Sequence, residues 1–174
     1  MAVWTHIAHD SLSLPAATVT WTGISGSYDH LYIKDSVRGD KSSFVDDIRP
    51  TLNGDTGSNY SYTEMYSNSS SVVSYRGTGK SFMGYWPING DTTLADTFAT
   101  VECWIPNYSN TADFKQIFAK TATENNSETN GEWTLWMEAA LWSSTSAITS
   151  IEFVNDGDDF MAYSVFDLYG ITGA

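Results

Sequence analysis

Short runs of alternating apolar and polar residues, separated by glycine-rich turns, leave this chain few folds to choose from. Thr18-Val19-Thr20-Trp21-Thr22 puts Val19 and Trp21 on one face and three threonines on the other, and Tyr28 to Val37 puts Leu31 and Ile33 opposite His30 and Tyr32. A period of two belongs to a strand with one wet face. The same reading predicts strands at Tyr60 to Tyr66, Ser71 to Tyr75, Phe82 to Trp86, Thr97 to Ile105, Phe114 to Lys120, Trp133 to Trp142, Ile148 to Val154 and Met161 to Tyr169. Ile48, Pro50 and Leu52 also share a face, and Pro50, which lacks an N–H for the ladder, marks an edge there. Gly131 to Trp142 is rich in helix formers, but Trp133, Leu135, Met137, Ala139 and Leu141 alternate, and a strand is preferred in this setting.

The turns sit at Gly23-Ile24-Ser25-Gly26, Asn53-Gly54-Asp55, Gly77-Thr78-Gly79, Asn89-Gly90-Asp91, Asn130-Gly131 and Asp156-Gly157-Asp158. Asn-Gly and Asp-Gly suit the positive φ of tight turns, which points to an antiparallel meander or Greek key rather than βαβ units. The predicted fold is therefore all-β, an antiparallel β-sandwich of jelly-roll type, with a closed barrel as second choice. Residues 1–16 are read as an N-terminal segment and 17–174 as one sandwich domain. With 174 residues, 41% of them hydrophobic, the chain has enough apolar surface for a complete core.

Charge narrows the partners. Eight Lys and Arg stand against 21 Asp and Glu, a net charge of −13. Nucleic acids and anionic membranes attract clustered cations, so neither is an expected partner. All eight basic residues lie between Lys34 and Lys120, and nine acids with no base follow. An acidic final third of this kind predicts self-repulsion between copies, and assembly that depends on salt or divalent cations. Cys103 stands alone, so no internal disulfide forms. The first ten residues have neither a basic region nor a long apolar run, and no signal peptide or membrane span is expected.

Motifs for chemistry are sparse. Gly79-Lys80-Ser81 ends like a phosphate-binding loop, but Ser74 stands where its first glycine belongs. There is no Gly-x-Ser-x-Gly elbow. His6 and His9 with Asp10 would be a minimal metal set, yet no His-Glu-x-x-His or second cluster accompanies them, and a polar N-terminal segment is the plainer reading. The acid pairs Asp46/Asp47 and Asp158/Asp159 are adjacent on their strands and point to opposite faces, so neither pair converges on one bond. Asn155, Asp156, Asp158 and Asp159 gather hard oxygens around Gly157 and would suit Ca²⁺, with a solvated hairpin turn preferred. No other cofactor is expected. Trp21, Trp104, Trp133 and Trp142 fall in alternating strands and are assigned to core or interface. Tyr60, Tyr62 and Tyr66, an exposed stripe around Glu64, are with Trp136 the candidate interaction residues.

Several segments resemble a recurring domain of virion structural proteins from tailed bacteriophages, particularly phages of aquatic bacteria. They are Thr18-Val19-Thr20-Trp21-Thr22-Gly23-Ile24 with Tyr28-Asp29-His30-Leu31, and Leu52-Asn53-Gly54-Asp55-Thr56-Gly57-Ser58-Asn59-Tyr60-Ser61-Tyr62, the most specific run. Trp104-Ile105-Pro106-Asn107-Tyr108-Ser109-Asn110-Thr111 is similar to the family's Ile-Pro-Asn-Tyr-x-Asn motif. The series ends with Leu141 to Ile151 and Phe160 to Ile171. One departure is Tyr163-Ser164, where the family has Gly-Ser, and it implies less of a bend before the last strand. The resemblance implies a non-enzymatic virion protein, assembled in the host cytoplasm. Capsid decoration or cement is the leading expectation, as a homotrimer bound to the major capsid protein. A tail-tip or fibre domain recognising a host surface glycan is the alternative; apart from the resemblance, a carbohydrate-active or carbohydrate-binding jelly-roll module comes third.

Overall fold

The computed structural model describes residues 1–68, 71–126 and 134–173. Twelve strands account for the regular structure: β1 Val3–Ser11, β2 Thr18–Thr22, β3 His30–Val37, β4 Val45–Leu52, β5 Tyr60–Asn68, β6 Ser71–Lys80, β7 Trp86–Asn89, β8 Ala99–Pro106, β9 Lys115–Thr123, β10 Thr134–Trp142, β11 Ser150–Asn155 and β12 Val165–Thr172. No helix occurs among the described residues, hence none long and apolar enough to cross a membrane. An eight-stranded sheet in the order β1-β12-β3-β8-β9-β10-β5-β6 packs on a four-stranded sheet, β2-β11-β4-β7, and every ladder is antiparallel. Without β9, β10, β5 and β6, the two sheets interleave as β1-β12-β3-β8 and β2-β11-β4-β7, the strand order of a jelly roll. The other four strands, two antiparallel pairs, widen one sheet.

The core lies between the sheets, where the alternation delivers it. Leu31, Ile33, Val37, Val101, Cys103, Ile105, Phe166 and Leu168 from the large sheet meet Val19, Trp21, Ile48, Trp86, Ile151 and Phe153 from the small one. Trp21 and Phe153 pack edge to face at 5.0 Å, and Phe160 and Phe166 at 5.1 Å.

Several expectations need correction. The N-terminal segment is not outside the sandwich: β1 pairs along β12 and forms an edge of the large sheet. Gly77 to Gly79 lie inside β6 instead of ending it, and Phe82 to Tyr85 precede β7. Trp133 and the Asn130-Gly131 turn fall outside the described residues, while β10 is extended as preferred. At Pro50 the edge expectation meets the structure, because β4 pairs β7 only over Val45 to Ile48 while β11 pairs beyond it. The Asn53-Gly54 turn has both residues at positive φ, 53° and 66°, closed by the Asp55 N–H to the Leu52 carbonyl at 2.9 Å. It is no hairpin within one sheet; it carries the chain from β4 in the small sheet to β5 in the large one.

Two residues of the motif-like segments, Asn53 and Tyr108, serve the scaffold. The Asn53 carboxamide accepts from the N–H groups of Thr149 and Ser150 and donates to the Ala147 carbonyl, which pins the turn to the segment before β11. Tyr108 is fully buried, and its hydroxyl donates to the Ser25 carbonyl.

Candidate functional site

The outward face of the eight-stranded sheet collects large side chains that the core does not use. Tyr169 of β12 lies opposite Tyr32 of β3, Tyr32 opposite Trp104 of β8, and Trp104 opposite Phe118 of β9. One row of four aromatic rings therefore crosses four strands. Tyr169, Tyr32 and Trp104 are half-buried, and Phe118 is 47% exposed. Trp4 packs edge-on against Tyr32 at 5.1 Å and Tyr169 at 6.2 Å, and the His30 ring lies 4.8 Å from Trp104. Beyond Phe118 the face turns aliphatic: Leu135 and Met137 of β10 and Met65 of β5 are exposed, with Met137 directly opposite Met65.

The charge of this face departs from that of the whole chain. Lys34, Lys120 and Arg76 project from its strands against Glu102 and Asp167, leaving it close to neutral on a chain of −13. Glu102 pairs with Lys120 at 2.6 Å and accepts the Tyr32 hydroxyl at 2.6 Å. The Lys120 bond, then the Tyr32 bond, hold the Glu102 carboxyl below its ordinary range, while burial and the Glu102 contact push the Tyr32 phenol up. A broad face that is aromatic, partly aliphatic and close to neutral in net charge is suited to contact with another surface or with stacked rings.

The expected tyrosine stripe faces the other way. Tyr60, Tyr62, Glu64 and Tyr66 do share one side of β5, but it is the side turned toward the small sheet. Tyr60, Tyr62 and Trp136 are buried, and Tyr66, half-buried opposite Trp136, packs on the core. Tyr85 covers Tyr62 edge-on at 6.2 Å. Alternation identifies which residues share a face, and only the position of the second sheet says which face is wet.

The acidic loop does not assemble a shared cage. Asn155 is buried and donates to the Asp46 carboxylate at 2.9 Å, while Asp156 pairs with Arg49. Asp159 binds through its backbone, its N–H meeting Asp40 Oδ1 at 2.8 Å. Asn155 and Asp156 are engaged by protein partners, and the acids of the set Asn155, Asp156, Asp158 and Asp159 form no ligand group among the described residues, so no Ca²⁺ position is preassembled there.

Two other clusters stand out among the described residues. In an unbroken strand His6 and His9 would point to opposite faces. A β-bulge at Ile7 shifts the β1 register between His6, opposite Tyr169, and Ala8, opposite Leu168. Both imidazoles consequently lie on the outer face and converge on Asp167 Oδ1, at 2.6 Å from His6 Nε2 and 2.8 Å from His9 Nδ1. Asp10, the partner expected from sequence, instead accepts the Trp21 indole N–H at 2.7 Å. Burial works against ionisation of Asp167, and the His9 and His6 hydrogen bonds outweigh it, leaving the carboxyl below its ordinary range.

The second cluster is a buried carboxyl pair, Glu64 and Glu138, directly opposite each other on β5 and β10. Trp86 donates its indole N–H to Glu138 Oε1 at 3.2 Å, and Glu138 Oε2 and Glu64 Oε2 have no hydrogen-bond partner among the described residues. Burial raises both carboxyls, Glu138 most. A Cβ at position 84 would overlap the Glu138 carboxylate, so any larger residue there would have to displace it. An open crevice of about 450 Å³ between β1 and β2, lined by Ile7, Thr20, Trp21 and Tyr28 among others, carries no carboxylate.

No family model, curated protein or solved structure matches this chain.

Proposed function

We propose that this chain is a structural protein of a tailed-bacteriophage virion, a decoration or cement subunit of the head exterior that acts as a homotrimer and has no catalytic role. The observation that carries the reading is the outward face of the large sheet, where Tyr169, Tyr32, Trp104 and Phe118 continue into Leu135, Met137 and Met65 with nearly balanced charge. On a chain of −13, a face with nearly balanced charge meets less repulsion from a neighbouring copy than the average surface does. The resemblance to virion proteins supports the reading further, since Asn53 and Tyr108 in its motifs stiffen the scaffold. Mass spectrometry of gradient-purified particles, separated into heads and tails, tests it. The chain is expected in the head fraction; recovery only with tails overturns the head assignment, and absence from both overturns the virion reading. Sedimentation of the purified protein is expected to give a three-chain mass.

The aromatic row itself favours a second reading, a tail-tip or fibre domain in which Tyr32 and Trp104 stack on sugar rings of a host glycan. Trp104→Ala particles that assemble normally but lose adsorption would support it; unchanged adsorption would count against it.

A further inference from the structure

We propose that His6, His9 and Asp167 form a binding site for a divalent transition-metal ion, Zn²⁺ foremost, that fastens the edge strand β1 to β12. The three candidate ligand atoms already lie within 4.8 Å of one another. Zinc binds imidazole nitrogen and carboxylate oxygen at roughly 2.0–2.2 Å, so its tetrahedral ligands sit about 3.3 Å apart. The two contacts of 2.6 and 2.8 Å to Asp167 thus need only open by roughly half an ångström to admit the ion. The bulge at Ile7 has already turned His6 and His9 to the same side, so both imidazoles face the carboxylate they would share an ion with.

The donor set chooses the metal. Two imidazoles and one carboxylate suit zinc, nickel, copper or iron, whereas Ca²⁺ and Mg²⁺ demand a shell of oxygens. The surroundings hold the ligands in place. The Asp167 N–H donates to Oδ1 of the buried Asp35 at 3.0 Å, and the His6 ring rests 5.0 Å from that of Tyr169. His6 and His9 are about half exposed, which gives an ion direct access and leaves coordination positions open toward solvent. Because β1 is an edge strand held through one ladder only, a metal bonded to both β1 and β12 would stabilise the outermost pairing of the sheet.

Titration calorimetry of EDTA-treated, dialysed protein with ZnSO₄ at pH 7.5 tests the site, with H6A, H9A and D167N as losses and H30A as control. One ion per chain is expected, each of the three variants weakening binding by about tenfold or more and H30A leaving it unchanged. A second measurement needs no variant. Zn²⁺ at about a hundredfold excess over its Kd is expected to raise the melting temperature by about 5 °C or more, reversibly with EDTA, and Mg²⁺ to leave it unmoved. In the same wild-type protein, histidine ring resonances of His6 and His9, and not of His30, are expected to shift with Zn²⁺. Absence of saturable one-to-one binding, binding that survives H6A and H9A, or ring shifts at His30 alone would overturn the proposal.

Discussion

Tyr163 holds φ at 72°, a left-handed conformation that bulky L-residues rarely adopt. It stands where the resembling family has glycine, and the expected loss of the bend does not occur. Tertiary hydrogen bonds hold the backbone in the glycine-like turn: the Tyr163 N–H donates to the Leu12 carbonyl at 2.7 Å, and the buried Ser164 hydroxyl accepts the Arg38 N–H at 3.2 Å. The Tyr163 side chain, 79% exposed, adds little in return. Y163G is therefore expected to stabilise by about 1 kcal/mol, raising the melting temperature by about 2–4 °C. An unchanged or lower value in calorimetry would contradict the strain. The neighbouring Arg38 works in the opposite sense. Buried, it donates to the carbonyls of Asp91, Thr93, Leu94 and Thr97 and organises the loop between β7 and β8. R38M is expected to cost about 3 kcal/mol or more, and R38K to recover little, because an ammonium cannot reproduce the planar fork; denaturant melts measure both.

Among the elements, the β5–β10 ladder sets Glu64 against Glu138 in the core, a carboxyl pair in which burial, and for each the neighbouring acid charge, disfavours ionisation. E138Q retains an oxygen for the Trp86 indole and removes the ionisable group. It is expected to stabilise the protein by about 1–2 kcal/mol at pH 8 and to have little effect at pH 5. Equal effects at both pH values in denaturant melts would show that ionisation is not the cause. The sequence offered His6 and His9 as a metal pair but with Asp10 instead of Asp167, and it did not show the Glu64–Glu138 pair, for a physical reason. Alternation shows strands and shared faces, and it located β2, β3, β5, β8, β9 and β10 to within a few residues. Register, partner strand and bulge are set by tertiary pairing, and these decide that His9 meets Asp167 and that Glu64 meets Glu138. Trp104 shows the intermediate case. Its neighbours Cys103 and Ile105 are buried, so parity alone puts it on the opposite face, whereas its size left core and interface both open.

For the whole molecule, the acidic final third of the sequence does not become an acidic lobe. Glu138, Glu152 and Asp167 lie on β10, β11 and β12, each flanked on both sides by strands from earlier in the chain. The contrast that matters is therefore between the near-neutral outer sheet face and the rest of the surface. Burial also sets the pH response. Asp35, Asp46, Asp47, Glu64 and Glu138 all have carboxyls raised by burial, so each binds a proton more readily folded than unfolded. Their contribution is complete below the ordinary carboxylate range and is lost as pH rises through the folded values. Asp55, Glu102 and Asp167 are lowered, so their contribution is lost only in stronger acid. A melting temperature higher at pH 5 than at pH 8 is expected in a thermal-melt series, and the reverse order would mean that the buried acids do not dominate. The central claim concerns where the outer face of the eight-stranded sheet points when the protein is at work. Cryo-electron microscopy of intact particles tests it most directly: the sandwich is expected on the head exterior with Tyr32, Trp104, Phe118 and Met137 against a neighbouring subunit, and a particle in which that face is bare to solvent in every copy would contradict it.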